Sequence, residues 1–530
     1  MERRSVIAAV ALAALAAMPI AADDASRSEL VIGMGSYGLE LNPYKAIYAH
    51  EMQLFTGIYE GLFSYDPHTL EPVRALAESY EKSDDGTAWT FTLREGARWQ
   101  DGSPVTADDF VQSWRYLLAP ELRAEYAVFL DVVKGARDFR TGKNPDPASV
   151  AVRAMDERTL VVELEAPAAY FTRLLCHTAF VPAHRSLRGV RSWDSRAVVG
   201  NGPYRIRSFG DQELVLELSE TYWDRDNVAI PRIRILFLDD AESATALYND
   251  GEIDWLTDMV DEEKLLDPEA VQYSPMFGTG YFFWNCARAP WSDARVRKAL
   301  ALALPWETLR SKEDFYAPTE VLILPFSGYR SPEGLSTTNT KEARKLLSAA
   351  GFPAGTGLPV LRIVVPDSEW LLKTVSAIEE AWKQLGIRVE VVKVDSGASA
   401  RDVRQSGYAL TFTSWIGDFA DPISFLLMWT SDSGLNEAGY KSTEFDKLIR
   451  RSMGQEGRVR LTTLSEAEGI LLQDAAVMPL YHSLSFNVID TQGVTGWFVN
   501  PMDIHPYKNL GFGYPSARPD VAILTPEVLP

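Results

Sequence analysis

The segment from Leu361 to Trp415 restricts the possible folds more than any other part of this chain. "LRIVV" is a short β-branched run, "WLLKTVSAIEEAWKQL" repeats its apolar residues with a helical period before Gly386, and "IRVEVVKV" is a second strand-like run. Strand, helix and strand in succession predict a β-α-β unit, with its two strands parallel in one sheet. A further strand, "YALTFTSW", follows, and ligands of open α/β sheets collect outside the carboxyl ends of strands. Just beyond that end lies "IGDFADPISF", which places Asp418 where a ligand group is expected.

Two carboxylates stand close together there, and they read differently. Asp421 precedes Pro422 at the start of "PISFLLMW", the arrangement of an N-cap aspartate with proline at the first helical position, so its role is structural. Asp418 has no such explanation. It sits in the turn between the rings of Trp415 and Phe419, where an unpaired carboxylate costs free energy. Either a Lys, an Arg or backbone N–H groups of the protein satisfy it, or a ligand ammonium does, with nearby rings adding about 0.5–2 kcal/mol of cation-π attraction.

The rest of the chain mixes helices and strands. "TAWTFTL" alternates as a half-buried strand, and Thr106 with Asp109 three residues on, flanked by Val105 and Phe110, marks a capped helix. "RTLVVELEAP", "GPYRIRSF", "LVLELS" and "PRIRILFL" read as strands, the middle two as a hairpin. "AESATALYNDG" reads as a short helix, and "SDARVRKALALAL" as another capped by Ser292. "GMGSYG" (33–38) fits G-x-G-x-x-G, but Pro43 stops a helix from beginning after it, so a glycine-rich turn after the first strand is the reading.

Bulk properties exclude several function classes. At 530 residues the chain needs two or three domains. Residues 1–22 carry Arg3 and Arg4, an Ala/Leu/Val core and small residues before Asp23, the pattern of a secretory signal peptide. No Cys lies near that cleavage point, so a freely soluble exported protein without a lipid anchor is expected. A net charge of −21 offers no basic field for nucleic acid. Two cysteines, Cys176 and Cys286, leave a single disulfide and two buried thiols both open, and six scattered histidines give no metal constellation. Neither metal nor cofactor is expected.

The segments "GLFSYDPHTLEPVRALAESYE", "WTFTLREGARWQDGSPVTADDFVQSW", "VGNGPYRI", "YNDGEIDW", "YFFWNCARAPWSDARVRKALALAL", "SWIGDFADPISFL" and "GYKSTEFDKLI" occur in the order found in one family. The chain resembles the periplasmic oligopeptide- and dipeptide-binding proteins of ABC importers over nearly its whole length. The resemblance implies an α/β fold of two lobes joined by a hinge, one carrying an inserted domain. It puts residues 24–60, 184–273 and 488–530 in the first lobe, 61–183 in the inserted small domain and 274–487 in the second lobe. It further implies that Asp418 pairs with the α-amino group of a peptide, that Tyr126 contacts the peptide from the inserted domain, and that Trp415 lies in the strand end touching the peptide backbone. For Trp415 a core ring below the site is the competing reading.

Two positions depart from the family pattern. Ile47 stands where oligopeptide binders carry an acidic residue, and Phe412 replaces an arginine available to a peptide carboxylate. His177 lies in a segment that approaches the cleft in the family, although a hydrogen-bonded core histidine explains it as well. The resulting expectation is a periplasmic, monomeric, non-enzymatic protein that captures peptides of varied side chain and delivers them to an inner-membrane ABC permease. A non-peptide solute, such as a metal chelate or oligosaccharide, is the alternative ligand. An exported peptidase is the alternative class, but G-x-S-x-G, H-E-x-x-H and a Cys/His pairing motif are all missing.

Overall fold

The computed structural model describes residues 28–46, 48–188, 193, 197–311, 316–326, 328–394, 403, 406–433 and 435–513. Residues 1–22, expected to be a signal peptide, and Ile47 lie outside the described residues.

An eleven-stranded mixed sheet runs through the molecule. From one edge its order is Val389–Val394, Leu361–Pro366, Leu410–Ile416, Val271–Trp284, Val477–Ile489, Trp255–Leu256, Glu29–Gly35, Arg232–Leu238, Glu213–Leu218 and Tyr204–Phe209, with Tyr316–Pro318 paired to Val477–Ile489. The β-α-β unit forms as its sequence requires. Leu361–Pro366 and Val389–Val394 pair in parallel, and the connecting helix Glu369–Lys383 buries Leu371, Val375, Ile378 and Trp382 at near-helical spacing. Gly386 closes it at φ +79°, a left-handed conformation that suits glycine. Leu410–Ile416 joins in parallel on the other side, so the strand ends lie together and the chain emerges there at Asp418.

Two long antiparallel strands, Val271–Trp284 and Val477–Ile489, hold the sheet together. At one end Val488 and Ile489 pair with Trp255–Leu256, and at the other Gly278–Trp284 pair with Leu410–Ile416. The pair is therefore the seam of the sheet, Val271–Trp284 pairing outward with Leu410–Ile416 and Val477–Ile489 with Trp255–Leu256. Their ladder breaks between Pro275 and Thr279. Pro275 lacks an N–H to continue it, and the amide of Phe277 donates instead to the Pro501 carbonyl at 2.6 Å.

A separate four-stranded antiparallel sheet orders Ala77–Lys82, Ala88–Leu93, Thr159–Glu163 and Val152–Ala154. Trp89, Phe91 and Leu93 point inward in strict alternation. The helix Ala107–Leu117 begins with the expected reciprocal cap: the Thr106 amide donates to Asp109 Oδ2 at 2.8 Å, and the Asp109 amide to Thr106 Oγ1 at 3.4 Å.

Two local expectations change, and one open question closes. Gly33 and Gly35 lie inside the strand Glu29–Gly35 rather than in a turn after it. A Cβ on Gly33 would come within 2.6 Å of Leu256 Cδ2, so close packing of the neighbouring strand explains that glycine. The helix Ala294–Leu302 is capped by Asp293, which accepts the Arg295 N–H, and not by Ser292. One residue of phase is enough for the acid to reach that donor. Cys176 and Cys286 are both free and buried.

Candidate functional site

The site begins where the strand Leu410–Ile416 ends. The Gly417 amide donates to the Phe277 carbonyl at 2.7 Å. A Cβ at Gly417 would lie 2.5 Å from the Phe277 ring and 2.7 Å from Ser424 Oγ, so only glycine permits this approach. The turn delivers Asp418 into a cavity of about 160 Å³, walled by Asp418, Tyr126, His177, Met52, Met276 and Lys508 among others.

Asp418 is half-buried as a residue, but its Oδ2 is fully buried and has no hydrogen-bond partner among the described residues. Burial pushes its carboxyl up to about 7. The basic side chains around it are engaged elsewhere. Arg460 makes a two-pronged pair with Asp421 at 2.7 and 2.8 Å. Arg173 donates to both oxygens of Glu71 at 2.7 Å and stands 3.8 Å from Asp421. Lys508 lies 2.9 Å from Glu60. Among the described residues no Lys or Arg forms an ion pair with Asp418.

Asp421 has a structural role, but one residue out of the expected phase, since Pro422 rather than Asp421 is the N-cap of the following helix. Its Oδ1 accepts the Ile423 N–H at 3.0 Å at the head of the one-turn helix Ile423–Leu426, and it is also the buried partner of Arg460. Between the two acids, Phe419 is fully buried. Its ring stacks on Tyr170 at 5.6 Å and meets Phe129 edge-on at 6.0 Å. The loop 417–421 thus ties the end of the large sheet to the segment that contains the four-stranded sheet.

Tyr126 belongs to the 3-10 helix Glu125–Val132 and lines the same cavity as Asp418. Burial raises its phenol, and the negative charge of Asp418 adds to the effect. His177 is at once a hydrogen-bonded residue and a cavity wall. Its Nδ1 accepts the Ala179 N–H at 3.1 Å, its ring lies 4.5 Å from that of Tyr126, and burial holds it down at about 4, so it is neutral at pH 7.

The other two candidates lie off the cavity. Trp415 points away from Ile416, and its indole donates to the Ser424 carbonyl at 3.2 Å. Phe412 is four residues, roughly 13 Å at strand rise, before Ile416 on the cavity wall. It packs with Phe282, Trp370 and Tyr481 at ring distances of 5.3, 5.7 and 6.2 Å.

Sequence reasoning missed a polar knot on the cavity wall. Glu60 is 5% exposed; its Oε1 accepts from Tyr222 Oη at 2.6 Å and Lys508 Nζ at 2.9 Å, and its Oε2 from Trp223 Nε1 at 2.6 Å. Its signal was present in "TGIYEGLF", where a lone acid among apolar residues demands a buried partner, but nothing in the sequence names Lys508.

Comparison with known proteins agrees with this architecture. Residues 71–437 match the family described as bacterial extracellular solute-binding proteins, family 5, middle region. The periplasmic oligopeptide-binding protein OppA of Salmonella typhimurium is 31% identical, the alignment covering 96% of this chain and 98% of OppA. The unliganded open form of the periplasmic murein tripeptide-binding protein MppA superposes with a TM-score of 0.76 at 28% identity, over 92% of this chain and 98% of MppA. OppA of Haemophilus influenzae in complex with the peptide RPPGFSPFR gives 0.71 at 26% identity, over 92% and 99% of the two chains. With its two-lobed α/β fold, its chain-long likeness to these relatives and a match across its middle 367 residues (71–437), the chain belongs to the bacterial extracellular solute-binding proteins of family 5.

Proposed function

We propose that this protein captures peptides by their free α-ammonium group in the cavity at Asp418 and delivers them to an ABC permease of the inner membrane. The observation that carries this reading is the buried Asp418 Oδ2 without a hydrogen-bond partner among the described residues, on the wall of a cavity. A carboxylate held that way pays for its desolvation only when a cation arrives, and an ammonium supplies three N–H donors of the right charge. The names of the relatives point to the same ligand class. Tyr126 offers a ring and a hydroxyl on the wall of the same cavity. Trp415 backs the loop through Ser424, and Phe412 stands where no ion pair with a peptide carboxylate can form.

The working division of the chain is residues 24–60, 184–273 and 488–530 as first lobe, 61–183 as inserted domain and 274–487 as second lobe. The broken ladder at Pro275–Thr279 supports a hinge there, beside the cavity wall at Met276. Such a protein works as a soluble periplasmic monomer without catalysis; among the described residues no helix is long and apolar enough to cross a membrane. Mass spectrometry of material copurified with the protein, followed by calorimetry and small-angle scattering with synthetic peptides, tests the reading. Stoichiometric binding without turnover and a smaller radius at saturation are expected. Equal affinity for free and N-acetylated peptides would sink it.

A further inference from the structure

The cavity beside Asp418 has an unusual balance: apart from Asp418, the ionisable groups on its wall are paired, hydrogen-bonded by other side chains or neutral. Lys508 and Glu60 pair with each other, and Glu60 already accepts from Tyr222 and Trp223. Asp503 accepts from Asn487 Nδ2 at 2.9 Å and lies 3.2 Å from His505. His177 is held neutral, and burial raises the Cys176 thiol so that it stays protonated. Thr56, Ser64 and Thr178 add uncharged hydroxyls, and the rest of the wall is mainly apolar, with three methionines, Met52, Met276 and Met502, beside Val181, Ile504 and Ile416.

We propose that this cavity selects peptides whose amino-terminal residue carries an uncharged, apolar side chain. The inference rests on the ammonium reading of Asp418. A peptide's first side chain springs from the atom that bears its ammonium, so anchoring the ammonium at Asp418 puts that side chain against the same walls. A Lys or Arg side chain finds only Asp503, whose Oδ1 is already taken by Asn487 and His505, and an Asp or Glu side chain finds no free base and meets the charge of Asp418. Either must give up its hydration without a counter-ion. Methionine walls are unbranched and adapt to irregular shapes, so the selection is for apolarity and not for one residue type. This narrows, at one position, the tolerance expected of a backbone-directed peptide binder.

Calorimetry with tripeptides X-Ala-Ala, X being Leu, Met, Lys or Glu, tests the inference, with N-acetyl-Leu-Ala-Ala as the control for its premise. Leu and Met at the first position should bind at least about tenfold tighter than Lys and Glu, roughly 1.4 kcal/mol. A smaller difference, with the acetylated control failing to bind, overturns the selectivity and leaves the ammonium reading standing. Binding of the control as tight as that of Leu-Ala-Ala, or no binding by any of the four, overturns both. Ile416, 49% exposed at the rim, can be changed with little risk to folding. Ile416→Glu should shift the Lys-to-Leu affinity ratio toward Lys by about tenfold; an unmoved ratio overturns the proposal.

Discussion

Replacing Asp418 by Asn should change two properties in opposite directions. In the unliganded protein, burial moves the carboxyl from its ordinary 3.8 to about 7, which corresponds to about 4 kcal/mol of disfavour toward the ionised form. The raised value means that between pH 4 and 7 the folded protein binds more protons at this site than the unfolded chain does. Stability therefore falls as pH rises through that window, and the full penalty is present above pH 7. Asn lifts the penalty but leaves a buried amide that costs about 1–3 kcal/mol of its own. The variant should be more stable than the wild type by about 1–3 kcal/mol at pH 8, and the sign should reverse near pH 4, where Asp418 is protonated and only the amide's cost of about 1–3 kcal/mol remains. Peptide affinity should fall by about 3–5 kcal/mol, because one partner of a buried ion pair is gone. Urea unfolding of both proteins at pH 4, 6 and 8, with calorimetry at pH 8, measures both effects. A variant less stable at pH 8, or one that keeps wild-type affinity, refutes the reasoning, since either outcome means that Asp418 is already paired in the empty protein.

The same ionisation should make peptide binding pH-dependent. Ammonium binding requires the carboxylate and releases a proton, so wild-type affinity should drop by up to about tenfold per unit as pH falls from 7 to 5, and isothermal titration in two buffers of different ionisation heat would reveal the released proton. Peptides ending in carboxamide should bind within about tenfold of their acids, because Phe412 offers no ion pair; a larger preference for the acid would show that another cation reaches the carboxylate. Phe419→Ala should remove on the order of 3 kcal/mol of packing against Tyr170 and Phe129 and speed peptide release in stopped-flow experiments, whereas an unchanged release rate would show that the loop is not held by that ring. Arg460→Met, which strands buried Asp421, should destabilise the protein by about 3–5 kcal/mol in urea, and a loss below 1 kcal/mol would mean that Arg173 suffices.

The parts of this architecture that were legible in the sequence are those set by local periodicity. The β-α-β unit, the capping box at Thr106 and the position of Asp418 beyond a strand end all follow from spacing within a few dozen residues. The misreadings are equally local. Gly33 was read as a turn because a glycine's reason for being in a strand is the side chain it faces, here Leu256, and sequence does not name that neighbour. Asp421 was legible as a structural acid at a helix start, one residue out of phase, but not as the partner of Arg460, 39 residues away. The composition of the cavity was hidden for the same reason: Met52, His177, Met276, Asp418 and Lys508 come from five distant stretches, and only the folded sheet brings them together.

The two long shared strands also set a schedule for folding. Val477–Ile489 lies in the middle of the sheet, and it comes late in the chain. Trp255 Nε1 bonds to Asn487, 232 residues ahead, and Gln53 exchanges bonds of 2.6 and 2.9 Å with the backbone of His505, 452 residues ahead. A chain emerging amino-terminus first from a ribosome or a translocation pore cannot complete either half of this sheet until nearly all of it is out. Glu29–Gly35, Arg232–Leu238, Glu213–Leu218 and Tyr204–Phe209 can pair among themselves, but the edges of Trp255–Leu256 and Val271–Trp284 that face Val477–Ile489 must wait, and closing loops of this length makes the final assembly slow. The architecture that puts Val477–Ile489 at the centre of the sheet thus also keeps that sheet open until this strand, near the end of the chain, arrives.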